Sequence, residues 1–219
     1  MKDRLDRYLS VRREALLTEA ELVETSDAEA LARALLERVM TARATRASHE
    51  AAFELQAVAD LLAKLPSIDS ANALLLILND EDAVVRLRAH DALRRWASGR
   101  SDDLVRAATS FLESRSGPAV RELPSLLLAT ADPEGPAPMG LLLRLLDDPD
   151  ADAAAEAACA IAATDDPDAF QALLPYVLDP RPLASAGRGP RTVGELVEQL
   201  VATARMIEEL ATSPTVGDA

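Results

Sequence analysis

Residues able to do acid–base or nucleophilic chemistry are few in this chain of 219 residues, which holds two histidines and one cysteine. His49 does not open a zinc-protease motif, because Phe53 stands where the second histidine belongs. His90 is expected at the solvent-facing edge of a helix. Cys159 has no basic residue within one helical turn to activate its thiol, so we expect a buried small side chain. The sequence therefore predicts no catalytic, cofactor or metal site.

Two acidic turns have a composition that could suit a cation. Each reads Asp-Asp-Pro-Asp, at residues 147–150 and 165–168. Calcium takes six or more oxygen ligands, usually on a loop with a glycine that allows a sharp bend. These turns lack glycine and lead directly into helices, so helix capping is the favoured interpretation. Asp148 and Asp166 would each accept a terminal amide, with the following proline at the first helical position.

One irregular stretch, residues 180–191, carries three arginines and no acid. Arg181, Arg188 and Arg191 lie among prolines and glycines in the acidic half of the chain. Arginines and exposed backbone amides suit carboxylate or phosphate groups, so this loop is a candidate site for an anion or an acidic peptide. In the alternative interpretation, which is preferred, the loop is a long connection before a capping helix.

A second candidate surface lies on the helix predicted around residue 90. Arg88, Asp91, Arg95 and Trp96 recur there at helical spacing, and Arg121 has a similar place in the next helix pair. Tryptophan and arginine are the residues that most often dominate binding energy. The sequence predicts a partner-binding groove on this face. Alternatively, Trp96 fills the core and the arginines form an ordinary solvated face.

Composition favours closely packed helices. Hydrophobic residues make up 49% of the chain but aromatics only 3%, so the apolar mass is mainly Ala, Leu and Val. No apolar run reaches the roughly 20 residues of a membrane span, and the charged N-terminus lacks the apolar core of a signal peptide. A single cysteine excludes an intrachain disulfide. These features predict a cytoplasmic protein without a membrane partner.

The net charge of −14 is unevenly distributed. Residues 1–100 carry 15 basic and 17 acidic side chains, whereas residues 101–219 carry 8 basic and 20 acidic ones. The acidic half repels phosphate backbones, so no nucleic-acid partner is expected. It suits a protein partner with a basic surface, or it serves solubility alone. Arginine supplies 21 of the 23 basic residues, which a GC-rich bacterial genome would explain.

An internal repeat organises the middle of the chain. Residues 74–96 and 141–163 align without gaps: an apolar run ends in Leu-x-Asp, and a second run with small residues follows an acidic turn. Asp80 and Asp148 occupy the same place 68 residues apart, which is two units of about 34 residues. Residues 108–129 supply the intermediate unit. This spacing is typical of stacked helix pairs.

The turn and second helix of these units resemble a HEAT repeat over residues 68–163. The resemblance rests on Asp80-Glu81-Asp82-Ala83-Val84-Val85-Arg86 with Ala89, Ala92 and Leu93, and on Asp148-Pro149-Asp150 with Ala157, Ala160 and Ile161. The sequence departs from the family pattern at Ala154, where an arginine is common. It departs again at Pro124, which should kink its helix or delay its start.

The resemblance implies an all-α fold, a short right-handed α-solenoid of about five antiparallel helix pairs with capping helices at both ends. Apolar stripes predict helices over about 3–17, 27–45, 48–65, 168–178 and 192–211, with Phe53, Ala57, Val58, Leu61 and Leu62 on one core face. The predicted single domain, 1–211, comprises an N-terminal capping helix (1–25), a first pair (26–67), repeats at 68–98, 101–131 and 137–163, and a last pair (167–211) containing the loop 180–191. A disordered tail is expected at 212–219.

The expected function is a non-catalytic scaffold or adaptor that binds a protein or peptide partner without a cofactor, as a monomer or weak dimer. The alternative is a HEAT-like enzyme or enzyme accessory. Families of similar architecture include base-excision DNA glycosylases and bilin lyases or chaperones. An acidic chain with six aromatic residues argues against the first, and no tetrapyrrole-binding motif supports the second.

Overall fold

A computed structural model of the protein describes residues 23, 27–44, 49–114, 117–130, 138–164, 166–184 and 189–212. These residues form ten α-helices and one 3-10 turn, and they contain no β-strand beyond an isolated bridge between Pro182 and Thr192. The prediction of an all-α protein is confirmed. None of the described helices combines the length and apolar character needed to cross a membrane.

The structure contains the following helices in chain order. They are α1 (Ala28–Ala44), α2 (His49–Leu62), α3 (Ile68–Leu78), α4 (Ala83–Ala97), α5 (Ser101–Ser114), α6 (Pro118–Thr130), α7 (Met139–Leu146), α8 (Ala151–Ala162), α9 (Pro167–Leu173), the 3-10 turn (Leu174–Leu178) and α10 (Val193–Thr212).

The chain divides into two compact units, Met1–Asp132 and Pro133–Ala219. In the first unit α1, α3 and α5 lie side by side, and α2, α4 and α6 form a second row against them. Leu74, Leu75 and Leu78 of α3 are fully buried. Burial of each of these leucines stabilises the unit by about 1.5–3 kcal/mol.

In the second unit α7 packs on α8, and α10 packs along both α8 and the 3-10 turn. Gly194 allows the start of α10 to lie directly on the backbone of that turn. A Cβ at this position would stand 2.6 Å from the carbonyl oxygen of Val177 and 2.9 Å from the amide nitrogen of Asp179. Only glycine therefore fits here without a shift of the backbone.

Short polar side chains begin many of the helices. Asp27 Oδ1 accepts the amide of Glu29 before α1, and Asp166 caps α9 with Pro167 in its first turn, as the sequence predicted. The predicted cap at Asp148 is wrong, because α8 begins two residues later with Asp150 as its N-cap. Asp148 instead accepts the Asp150 amide at 2.9 Å and so shapes the turn.

Other boundaries differ from the predicted ones at a few places. The helix expected over 168–178 is α9 followed by the 3-10 turn, because Pro175 lacks the amide that would continue an α-helix. The helix with Pro124 starts at Pro118 and continues past the proline to Thr130, so its start is not delayed. The predicted helix 3–17 lies outside the described residues, as does the predicted tail 212–219 apart from Thr212, which is the last residue of α10.

Candidate partner-binding site

A buried carboxylate joins the surfaces of α2 and α4. Asp60 on α2 is 6% exposed. Its Oδ2 accepts Arg88 Nη2 at 2.7 Å, and its Oδ1 accepts Arg95 Nη2 at 3.1 Å. Arg88 and Arg95 lie seven residues apart on α4, which places both on the same face, two turns apart. One acid therefore fixes two of the predicted site arginines to the neighbouring helix.

The electrostatics of this cluster keep Asp60 ionised. Burial alone would raise its pKa, but the hydrogen bonds and charges of Arg88 and Arg95 outweigh burial, and the pKa lies below its usual value. The arginine side chains themselves remain about half exposed, at 46% and 52%. The cluster therefore has a buried anionic centre and a cationic outer surface.

A groove of about 480 Å³ lies beside the cluster, between α2 and α4. We call it the α2/α4 groove; it is lined by Phe53, Gln56, Asp60, Val84, Leu87, Arg88 and Asp91. Three of its side chains are large, apolar and exposed: Phe53 at 62%, Val84 at 60% and Leu87 at 64%. Exposed apolar side chains that adjoin one another and are bordered by charge are typical of protein-interaction surfaces.

The other predicted residues of this face have different positions. Asp91 is exposed and lines the α2/α4 groove, and Arg121 is exposed on α6. Trp96 is 1% exposed, and its Nε1 donates to the carbonyl of Leu65 at 2.8 Å. Trp96 therefore fills the core beneath the surface, and its side chain is not part of the exposed face.

The arginines of the loop 180–191 are not brought together as an anion site in the described residues. Arg181 pairs with Asp179 at 2.6 Å and donates to the carbonyl oxygens of Leu146, at 2.8 Å, and Asp148. It holds the end of α7 to the loop. Arg191 is exposed, with its amide bonded to Glu195 Oε2 at 2.7 Å. Arg188 lies outside the described residues.

Sequence reasoning missed Asp60 and placed Phe53 on a core face, which is wrong because Phe53 is 62% exposed. The available signal was Asp60 itself, an acid between the apolar residues Ala59 and Leu61 on a helix. Such an acid needs a cation from a neighbouring element, and the arginines of α4 supply it.

The remaining candidate groups are Cys159 and the side chains that could bind a metal ion. Cys159 is exposed on α8, so its predicted burial is wrong. Partial desolvation and the nearby charge of Glu156 raise the pKa of its thiol, which lowers its reactivity. The described residues contain no cluster of three or more His, Cys, Asp or Glu side chains able to hold a metal ion.

No protein-family model, curated protein or solved structure matches the chain. Its function is therefore inferred from the groove and from the helices that position it.

Proposed function

We propose that the protein is a non-catalytic binding module that holds a segment of a partner protein in the α2/α4 groove. The observation that carries the proposal is the exposure of Phe53, Val84 and Leu87 beside the Asp60–Arg88–Arg95 cluster. An apolar anchor on the partner would cover the three side chains. The arginines and Asp91 would orient its polar groups.

We propose that the helices around this groove form a HEAT-like α-solenoid. Two features support it: the two rows of helices in the first unit, and the recurrence of the Asp80 turn at Asp148. In such folds successive second helices line one continuous surface, and a curved surface of this kind suits an extended or helical segment.

Hydrogen bonds between helices order the charged part of the groove before a partner binds. Asp60 fixes the side chains of Arg88 and Arg95. Trp96 of α4 donates to the carbonyl of Leu65, which lies just after α2, and so joins the two helices. A surface that is already ordered loses less conformational freedom on binding. The charge of the first unit supports an apolar anchor over charge attraction, since residues 1–132 carry 22 acidic and 18 basic side chains.

Site-specific photocrosslinking tests the proposal. A photoreactive benzoylphenylalanine replaces Leu87 in the groove or, as a control, Met40 on α1, which is similarly exposed at 56% and does not line the groove. We expect a discrete adduct with one protein from the native cell for position 87 only. Equal adducts from both positions, or from position 40 alone, would place the partner elsewhere.

A further inference from the structure

An apolar stripe on α10 continues beyond the part of the helix that the fold covers. Val193 and Val197 are fully buried against the rest of the second unit. Leu200 and Ala204, further along the same stripe, are half-buried, and Ile207 is 60% exposed. An amphipathic helix normally turns its whole apolar stripe to a partner element. Here the described residues of the fold cover only the first half.

The uncovered half forms one wall of a groove of about 710 Å³, which we call the α10 groove. Its other walls come from α8, α9 and the 3-10 turn, and they include Ala162, Phe170 and Leu174. The polar residues of the lining are Gln171, Gln199, Thr203 and Arg205. From Leu196 to Ile207 the groove wall is about 16 Å long, at 1.5 Å per residue, which matches three turns of a helix.

The charge around the α10 groove restricts its occupant. The unit Pro133–Ala219 carries 15 acidic and 5 basic residues. Asp168 is exposed one helical turn before Gln171, and Glu195 is exposed one turn before Gln199, so acids lie next to the lining. A second copy of this unit or an anionic lipid surface would meet like charge, whereas a basic segment would be attracted.

We propose that the α10 groove is a second docking surface, which takes a basic amphipathic helix of a partner protein. Apolar side chains of that helix, spaced at i, i+3, i+4 and i+7, would complete the cover of Leu200, Ala204 and Ile207. Lysines and arginines on its flanks would face Asp168 and Glu195. With the α2/α4 groove on the first unit, this surface makes the protein bivalent.

A labelled model peptide tests the chemistry directly. The probe is a 15-residue helical peptide with leucines at the apolar positions and lysines elsewhere, followed by fluorescence anisotropy. We expect saturable binding to the full chain, at least tenfold weaker binding of a scrambled peptide of equal composition, and weaker binding of a version with glutamates for lysines. Equal binding of the scrambled peptide would mean unspecific charge attraction and would overturn the proposal.

Two neighbouring residues of α10 supply matched variants. Ile207→Ser removes an exposed side chain that lines the α10 groove, whereas Met206→Ser removes one that is 55% exposed and does not line it. We expect at least a tenfold loss of peptide affinity for Ile207→Ser and less than a twofold change for Met206→Ser. Equal effects would overturn the assignment.

Sedimentation equilibrium distinguishes a second copy of the chain as the occupant. A dimer in the parent protein that becomes monomeric in Ile207→Ser but not in Met206→Ser would overturn the proposal in favour of self-association. A parent monomer supports a foreign partner. The Leu87 and Met40 variants test the α2/α4 groove independently, because those residues belong to the other unit.

Discussion

In the turn that joins α3 to α4, Asp80 Oδ1 accepts the amide of Asp82 at 2.8 Å, and Asp82 then caps α4. The turn that joins α7 to α8 repeats this arrangement 68 residues later. Asp148 Oδ1 accepts the amide of Asp150 at 2.9 Å, and Asp150 caps α8. The two turns therefore have the same pattern: one aspartate accepts the amide of a second, and the second caps the next helix.

The arginine that completes each turn comes from a different place. In the first, Arg86 of α4 donates to the carbonyl oxygens of Asp80 at 3.0 Å and Glu81 at 2.8 Å. Ala154 occupies the corresponding place in α8 and offers no side-chain donor. Arg181, from the loop before α10, donates instead to the Asp148 carbonyl, which corresponds to that of Asp80.

The missing arginine at Ala154 is therefore replaced from elsewhere in the fold. The end of α7 still needs a donor for its last carbonyls, because helix termini leave such groups without intrahelical partners. A loop arginine has taken over the task, and Arg181 is therefore a structural residue. The outer faces differ as well: Val84 and Leu87 of α4 are exposed, whereas the matching residues of α8 are the half-buried Asp152 and the buried Ala155.

Substitutions in the core should have the largest effect. They test whether the pairs α3/α4 and α7/α8 bury the same matched positions. Ala92→Glu in α4 and Ala160→Glu in α8 each place a carboxylate at a matched position that is 0% or 4% exposed. Each should lower the free energy of unfolding by more than about 4 kcal/mol, since the charge has no buried cation. Thermal melting followed by circular dichroism measures the loss. Ala163→Glu, at an exposed position, is the control, and a parent melting temperature for either core variant would refute the register.

The two arginines provide the next comparison. Arg181→Met removes bonds to two carbonyls and leaves Asp179, only 10% exposed, without its cation, so we expect a loss of about 2–3 kcal/mol. Arg86→Met removes two bonds at a more exposed turn and should cost about 1 kcal/mol. Urea titration gives both values.

A rescue experiment sharpens this comparison. Adding Ala154→Arg to the Arg181→Met variant returns a donor to the place that Arg86 has in α4. It should recover part of the lost stability. A further loss would show that the two turns are not interchangeable and that Arg181 acts mainly through Asp179.

A smaller effect is expected at Asp60 of the first unit. Asp60→Asn should lower the free energy of unfolding by about 1–2 kcal/mol at neutral pH, because two charge-assisted hydrogen bonds are lost. The folded-state pKa of Asp60 lies below the unfolded value of about 4, so this stabilisation is complete above pH 4 and disappears as the pH falls through the lower value. Asp91→Asn is the matched control. Parallel pH–stability curves for the parent and Asp60→Asn below pH 4 would contradict the ion pair.

The smallest effect is expected at the residue that directly follows α3 or α7, which is Asn79 in the first case and Asp147 in the second. Asn79 Oδ1 accepts the amide of Ala119 at 3.2 Å, whereas Asp147 Oδ1 accepts the hydroxyl of Tyr176 at 2.5 Å. That hydrogen bond raises the pKa of Tyr176 to about 12, with a contribution from desolvation. Its stabilisation is complete below the unfolded value near 10 and is lost between pH 10 and 12.

Ultraviolet titration of the parent and Tyr176→Phe isolates this group. We expect the difference spectrum to titrate near pH 12, while Tyr176→Phe costs less than about 1 kcal/mol, since the bond is exposed. A difference spectrum that titrates near pH 10 would show that the hydroxyl bonds to water.

The sequence predicted the helices and much of the core because both depend on local periodicity. The stripe of the helix expected over 48–65 predicted Val58, Leu61 and Leu62 in the core, and all three are buried. Phe53 could not be placed in this way, because α2 packs against α1, α3 and α4, and periodicity does not say which narrow strip remains exposed. Arg181 depends on a contact with a carbonyl 33 residues away, which no local pattern encodes.

The candidate site was predictable to a similar extent. Arg88, Asp91 and Arg95 follow from helical spacing along α4. The partner of both arginines, Asp60, lies 28 and 35 residues earlier on another helix, so it required the packing of α2 on α4. The burial of Trp96 depends on the same packing.

Affinity measurements show whether the α2/α4 groove binds the partner. The protein crosslinked at position 87 is purified, and its binding to Leu87→Ser and to Met40→Ser is measured by calorimetry. We predict at least a tenfold loss of affinity for Leu87→Ser, about 1.4 kcal/mol, and less than a twofold change for Met40→Ser. Unchanged affinity for Leu87→Ser, in a variant with the parent melting temperature, would contradict the account.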